Sequence, residues 1–367
     1  MAKRASSTTV TMKTQGLFYS FDAGNGSCKG ISNERQGDNA INFAPVIAPM
    51  TSKKAISGDD ARPGFSLKVD DQILVFGVND VFAHGKRAAI RRLNSAERYL
   101  SPDYFRLLDV LYLQAFSSLR GNADYIAPTG IISVPVSQFN NDDLIGQVRA
   151  TLVGRHTLED YEGCTLRLAI EDKNLLIIPE STGAMTHYAF DPKTLKKRAD
   201  VAGSSLVIDI GYETTDVSLF EGMAYQRDQS FTIPRAGMGI VARSIQESIT
   251  KEIREADISR IDYGMRLIAG ARAGAPKSIE VAPGIFASVE GIYDAEIDQL
   301  ANKIADEIRT RFSGAVTRAV LAGGGALHLS RALSDSLPFT PDIAPDADMS
   351  NVQGAYTLLQ LKLAVGR

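Results

Sequence analysis

The sequence has two cysteines, no tryptophan and four histidines in 367 residues, and no run approaches the roughly 20 apolar residues that cross a bilayer. Cys28 and Cys164 cannot build a disulfide framework and lack the spacing of a zinc site, which favours a reducing compartment. An excess of charge is missing too. With 40 Lys and Arg against 43 Asp and Glu, the formal charge is -3, so no whole-molecule field gathers nucleic acid or anionic lipid. The N-terminus has no apolar segment of the kind that makes a secretory signal, and the cytoplasm is the expected location. Three catalytic signatures are absent: the G-x-x-x-x-G-K-[ST] phosphate loop, the G-x-S-x-G elbow and the H-E-x-x-H zinc helix. His84, His156, His187 and His328 are scattered without ligand spacing and read as structural or surface residues.

What is present is an ordinary globular composition, 44% hydrophobic and 23% charged, in a chain long enough for two domains. The opening MAKRASSTTVTMKTQ has almost nothing to bury, so residues 1–15 are expected to form a disordered tail. From Leu17 the pattern LFYSFDAGNGSCKGIS, an apolar run, a glycine turn and a second short run, predicts a hairpin. Residues 38–100 read as a small inserted subdomain with strand candidates Phe65–Val69 and Gln72–Phe76. Its Arg-rich stretch GKRAAIRRLNSAER reads first as a solvated helix face, with a contact surface for another subunit as the alternative.

Ser101-Pro102-Asp103 predicts a helix start, followed by a buried face of Phe105, Leu108, Leu111, Tyr112, Ala115 and Leu119. TGIISVPV predicts a strand and Asn141-Asp142-Asp143 the next helix, ending near Gly154. CTLRLAIEDKNLLIIPE is expected to be a second hairpin. After a charged connector, SLVIDIGYETTDVSLFEG repeats the strand, glycine turn and strand about 185 residues after the first, which suggests two related α/β halves. Amphipathic helices are expected at Gly239–Ala256 and Asp294–Phe312, then the strand AVLAGGG and a closing helix near SNVQGAYTLLQLKLAV.

Three glycine-rich turns follow strands: at Gly24, Asn25 and Gly26; at Gly211, Tyr212, Glu213 and Thr214; and at Gly323, Gly324 and Gly325. Glycine lets main-chain amides approach a ligand with no Cβ in the way. Each turn alone is weak evidence. Asp22 and Asp209 sharpen it, because each ends an apolar strand, where an unpaired carboxylate is costly. A cation would account for both, and Mg²⁺ is commonly held by one or two carboxylates together with substrate phosphates. The alternative for each is a turn or cap residue. Glu180, at the end of its own strand, could orient a water in line with a terminal phosphate or be a carboxylate at a helix N-terminus.

Taken in order, these pieces resemble the nucleotide-binding signature of the actin, sugar-kinase and heat-shock ATPase superfamily. FDAGNGSCK is similar to its first phosphate motif, PESTGA to its first connector, VIDIGYETTDV to its second phosphate motif, VLAGGGALHL to its adenosine motif and SNVQGAYTLL to its second connector. The PES connector and the I-D-x-G-x-x-T-T-D form look most like bacterial and archaeal actin-like proteins of the plasmid-segregating ParM type. The resemblance implies two related actin-like, ribonuclease H-like α/β lobes around a nucleotide cleft, with residues 16–187 and 350–367 in domain I and 188–349 in domain II.

It further implies ATP, or GTP, with Mg²⁺ on Asp22 and Asp209; phosphate contacts from Gly24, Asn25, Gly26 and Lys29 on one side and Gly211, Tyr212, Glu213 and Thr214 on the other; and adenosine along Gly323, Gly324 and Gly325. Glu180 would position the hydrolytic water, with Asp209 the second catalytic residue. Tyr212 departs from relatives that have a second glycine there. The implied function is a nucleoside triphosphatase that polymerises with itself and segregates a plasmid through a DNA-binding adaptor, without direct nucleic-acid or membrane contact. A kinase of the same superfamily and a non-polymerising scaffold are the competing expectations.

Overall fold

The largely buried runs on either side of Gly24–Gly26 fold as the expected hairpin: Phe18–Ala23 (β1) pairs antiparallel with Cys28–Ser32 (β2), and β2 with Ile41–Phe43 (β3). Thr129–Val134 (β4) adds parallel to the other side of β1, and Leu175–Pro179 (β5) parallel to β4. The second half repeats this plan. Ser204–Ile210 (β6), Thr214–Glu221 (β7) and Ala224–Pro234 (β8) form the antiparallel part, and Arg318–Ala322 (β9) and Asp342–Ile343 (β10) the parallel part. Both sheets therefore run third, second, first, fourth, fifth. Asp22 and Asp209 occupy equivalent places near the ends of the two first strands. The computed structural model describes residues 12–13, 16–50, 63–86, 89–92, 96–198, 201–253, 256, 277–312, 316 and 318–365.

Helices cover the sheets. Pro102–Ala115 (α1) starts where Ser101 Oγ accepts from the Tyr104 amide at 3.2 Å, and its Tyr104, Leu107, Leu108, Leu111 and Tyr112 are buried. Side chains of this size stabilise by about 1.5–3 kcal/mol each when fully buried. Asp142–Leu152 (α2) is capped by Asn141, whose Oδ1 accepts from the Leu144 amide at 3.1 Å. Glu180–Ala189 (α3), Met238–Glu252 (α4), Glu290–Arg311 (α5), Ala326–Ser336 (α6) and Ser350–Val365 (α7) follow.

Two helices exchange lobes. The first, α3, leaves β5 of the first sheet and packs Ala184, Met185 and Ala189 against Val207, Phe220 and Ala322 of the second. From the second lobe, α7 returns to lay Ala355 and Leu359 on Ile131 and Ile178, and Val352 and Tyr356 on Ile31. Where they cross, a Cβ on Gly354 would stand 2.6 Å from the Gly183 carbonyl carbon and 2.8 Å from the His187 amide. The two backbones touch, so only glycine fits. Residue 187, where the boundary between the lobes is expected, lies inside α3.

Three further expectations are corrected. Within the expected tail, Met12–Lys13 pairs parallel with Tyr125–Ile126, because an edge strand offers main-chain groups that need no apolar side chain; residues 1–11 and 14–15 lie outside the described residues. CTLRLAIEDKNLLIIPE is not a hairpin: Thr165–Ile170 joins a separate four-stranded sheet while β5 enters the first central one, the turn Asp172–Asn174 redirecting the chain. The Arg-rich stretch is no continuous helix. Arg91–Arg92 pairs with Val46–Ile47 in the small subdomain, and Ala96–Leu100 is a tight 3-10 turn with Arg98 buried; residues 87–88 and 93–95 lie outside the described ones.

Candidate functional site

Strand ends from both sheets open onto one cavity of about 520 Å³, and each of the fourteen residues singled out from the sequence lines it: Asp22, Gly24, Asn25, Gly26, Lys29, Glu180, Asp209, Gly211, Tyr212, Glu213, Thr214, Gly323, Gly324 and Gly325. The volume lies within the range of small-molecule sites, about 300–1,000 Å³. Phe43 of β3, Phe65 and Phe76 of the small subdomain and Tyr99 of the turn before α1 complete one wall.

Asp22 and Asp209 are each only 4% exposed. Burial raises Asp22 above the ordinary carboxylate range, against the pull of Lys29 and Arg98. Asp209 is pushed up to about 7 by burial, then by the negative charges of Asp216 and Asp22. Glu180, at the first turn of α3, is raised well above its usual range by burial and by Asp22, Asp209 and Asp216. Three carboxylates thus crowd one dry space and disfavour one another's charge. Asp22 Oδ1, Asn25 Oδ1 and Asn351 Oδ1 are buried without a protein hydrogen bond. Orphaned oxygens beside crowded acids suit a hard cation with oxygen ligands, so the residues present fit Mg²⁺.

Asn351, absent from the sequence-derived set, starts the returning helix α7 and donates from Nδ2 to Asp209 Oδ2 at 2.7 Å. It also hydrogen-bonds Asp22, lowering that acid's proton affinity. The second connector motif contained it, but nothing in a helix start announces that its amide reaches two acids. Arg98 was missed as well, because a buried arginine looks like a solvated one until its acceptors are known. Its guanidinium donates to the carbonyls of Ala23 and, at 3.2 Å, Gly24.

The two hairpin turns meet. A Cβ on Gly26 would lie 2.8 Å from Tyr212 Cβ, and the Tyr212 carbonyl accepts from the Gly239 amide at 2.5 Å. Tyr212 thus fills a slot between Gly26 of one lobe and Gly237 and Gly239 of the other. Lys29 lines the cavity, yet its ammonium donates to the Asp348 carbonyl of the opposite lobe. Glu213 pairs with Arg243 at 3.0 Å on the rim. Gly323 has φ +81 and its amide donates to the Ala347 carbonyl at 2.8 Å, while that of Gly325 donates to Ile210 at 2.9 Å. Three of the histidines stay outside this cavity: His156 Nε2 bonds the Leu152 carbonyl at 2.8 Å, His328 meets Tyr293, and His187 is buried in α3. The side chain of His84 lies outside the described residues.

Residues 207–335 match the family model described as the C-terminal part of an archaeal MreB-like actin homologue. No curated protein matches the sequence significantly. Among solved structures, a 15-stranded ParM filament from Clostridium botulinum is similar with a TM-score of 0.73 at 16% identity, over 94% of this chain and 99% of that one. An archaeal actin homologue in complex with ADP gives 0.67 at 18%, over 94% and 99%, and apo pSK41 ParM 0.65 at 18%, over 96% and 99%. The fold is actin-like across both lobes, as the five motifs implied. Among the described residues no helix is long and apolar enough to cross a membrane.

Proposed function

We propose that this actin-like chain binds and hydrolyses ATP with Mg²⁺ between its lobes and polymerises head to tail into filaments that segregate a plasmid through an adaptor bound to its centromere. One observation carries the nucleotide part: turns from both lobes, with their acids, line a single cavity. Bound Mg²⁺ would neutralise phosphate charge and be held by Asp22 and Asp209. Amides of Gly24, Asn25 and Gly26 face Gly211, Tyr212 and Thr214 across the phosphates, Lys29 and Glu213 flank them, and Gly323, Gly324 and Gly325 run beside adenosine. Glu180 orients the attacking water and accepts its proton.

Because the phosphates are gripped from both lobes, hydrolysis weakens the grip and changes the lobe angle about the α3 and α7 crossing. A subunit contact that depends on that angle and repeats without closing builds a filament. The similar ParM filament supports self-association; plasmid and adaptor rest on that likeness alone. The protein works in the cytoplasm without binding nucleic acid or membrane directly, and GTP is the alternative nucleotide.

Light scattering with and without ATP and Mg²⁺ tests this. A rise that decays as phosphate appears is the expected result. Steady turnover without scattering indicates a small-molecule kinase, and binding without either indicates a scaffold. Glu180→Ala is expected to keep nucleotide affinity and leave filaments long-lived; unchanged phosphate release would remove Glu180 from the mechanism.

A further inference from the structure

Against the first turn, but not among the residues lining the cavity, lies Arg98, 3% exposed. It sits in the turn Ala96–Leu100 just before α1, 74 residues along the chain from Gly24. Its guanidinium stands 4.9 Å from the Tyr99 ring centre and 5.8 Å from that of Tyr104, and Nη2 also reaches the Tyr99 hydroxyl at 3.2 Å. A buried cation is costly unless its donors are satisfied, and here the two terminal nitrogens are spent on consecutive carbonyls of the phosphate turn, Ala23 and Gly24.

Every peptide bond of the described chain is trans. In a trans peptide the C=O and the N–H of the same plane point in opposite directions. With the Ala23 and Gly24 carbonyls turned towards Arg98, the amide hydrogens of Gly24 and Asn25 turn away from it, towards the cavity that both residues line. The charge on the guanidinium also polarises the two peptide groups, making each amide a better donor.

We infer that Arg98 is a positioning residue: it forks two carbonyls from behind so that the Gly24 and Asn25 amides are aimed, in advance, at the phosphates of a bound nucleotide. The inference rests on the nucleotide reading above. Its fork geometry matters more than its charge, because lysine presents one compact ammonium and cannot hold two adjacent carbonyls in the same way. The turn before α1 would thereby set the phosphate site although Arg98 itself does not line the cavity.

The test compares wild type, Arg98→Lys and Arg98→Met for binding of Mg²⁺-ATP and of adenosine. Two misaimed donors to charged oxygens are expected to weaken ATP by about tenfold to a hundredfold in both variants, with adenosine affinity unchanged. Two results would overturn the inference: full ATP affinity in Arg98→Lys, which leaves only a charge effect, or equal loss for ATP and adenosine, which leaves only a structural one. Should the variants not fold, amide proton shifts of Gly24 and Asn25 in the wild type decide: downfield movement on adding Mg²⁺-ATP is expected, and stationary signals contradict it. A wild type that binds neither ATP nor GTP overturns the nucleotide reading itself, a different failure from variants that bind as well as a competent wild type.

Discussion

The two turns that face the cavity sit on sheets with the same strand order and are braced in opposite ways. In the first lobe a side chain does the holding: Arg98, from the turn before α1, reaches the Ala23 and Gly24 carbonyls. In the second lobe main chain packs on main chain: Gly237, Gly239 and Gly323 come so near Tyr212, Asp209 and Ile210 that none has room for a Cβ. The first turn therefore depends on a side chain from a distant part of the chain, whereas the second is fixed by main chain of its own lobe. A duplicated scaffold thus yields one jaw braced by a side chain and one rigid jaw braced by main chain.

The largest expected effect lies in the rigid jaw. Gly323→Ala puts a Cβ into Asp209 Oδ1 and 2.5 Å from the Ile210 carbonyl at φ +81, and is expected to cost about 3 kcal/mol or more in urea unfolding. The counterpart Gly24→Ala meets Ser27 O at 2.9 Å and Asp22 Oδ1 at 3.2 Å, with an expected cost of about 1–2 kcal/mol. Equal losses would break the comparison.

Contact between the jaws comes next. Gly26→Ala collides with Tyr212 Cβ at 2.8 Å and should weaken ATP binding, but much less in a Tyr212→Gly background, a coupling of about 1–2 kcal/mol in a double-mutant cycle. Additive losses would mean that the turns do not press on each other.

A pH effect belongs to the crossing between the lobes. Burial, then the charge of Arg198, pushes His187 down to about 4 from its ordinary 6.5. Between these values the unfolded chain holds a proton that the folded one does not, so stability is full above about 6.5 and falls as pH drops towards 4. The loss is at most roughly 3 kcal/mol. Asp209, raised to about 7, pulls the opposite way in the same window, so the measurement is the difference between wild type and His187→Gln. A constant difference from pH 7 to pH 4 would remove His187 as the cause.

The smallest expected change has the reverse sign. Gly146 lies inside α2 with nothing within 4 Å of its Cβ position, so Gly146→Ala is expected to stabilise by about 0.5–1 kcal/mol. A loss there would show that glycine clashes are not what separates tolerant sites from rigid ones.

Much of this could be read from the chain because its signals are local. An apolar run meeting a glycine turn specifies each hairpin, the repeat at half length foretells two like sheets, and an acid closing an apolar strand marks each half of the site. What escaped is set by distant partners. Arg98 is distinguished from its solvated neighbours only by carbonyls 74 and 75 residues away. Asn351 gains its role from an acid 142 residues distant. Thr165–Ile170 and Leu175–Pro179 have ideal hairpin spacing, and periodicity cannot say that they join different sheets.

The most direct test is a cycle of Asp22→Asn and Asp209→Asn read as Mg²⁺-dependent ATP affinity. If both carboxylates serve one metal-bound triphosphate, each single change removes most of the metal dependence and the double change adds little. Losses that simply add, or metal dependence that survives either change, would contradict the claim that the two lobes close on the same ligand.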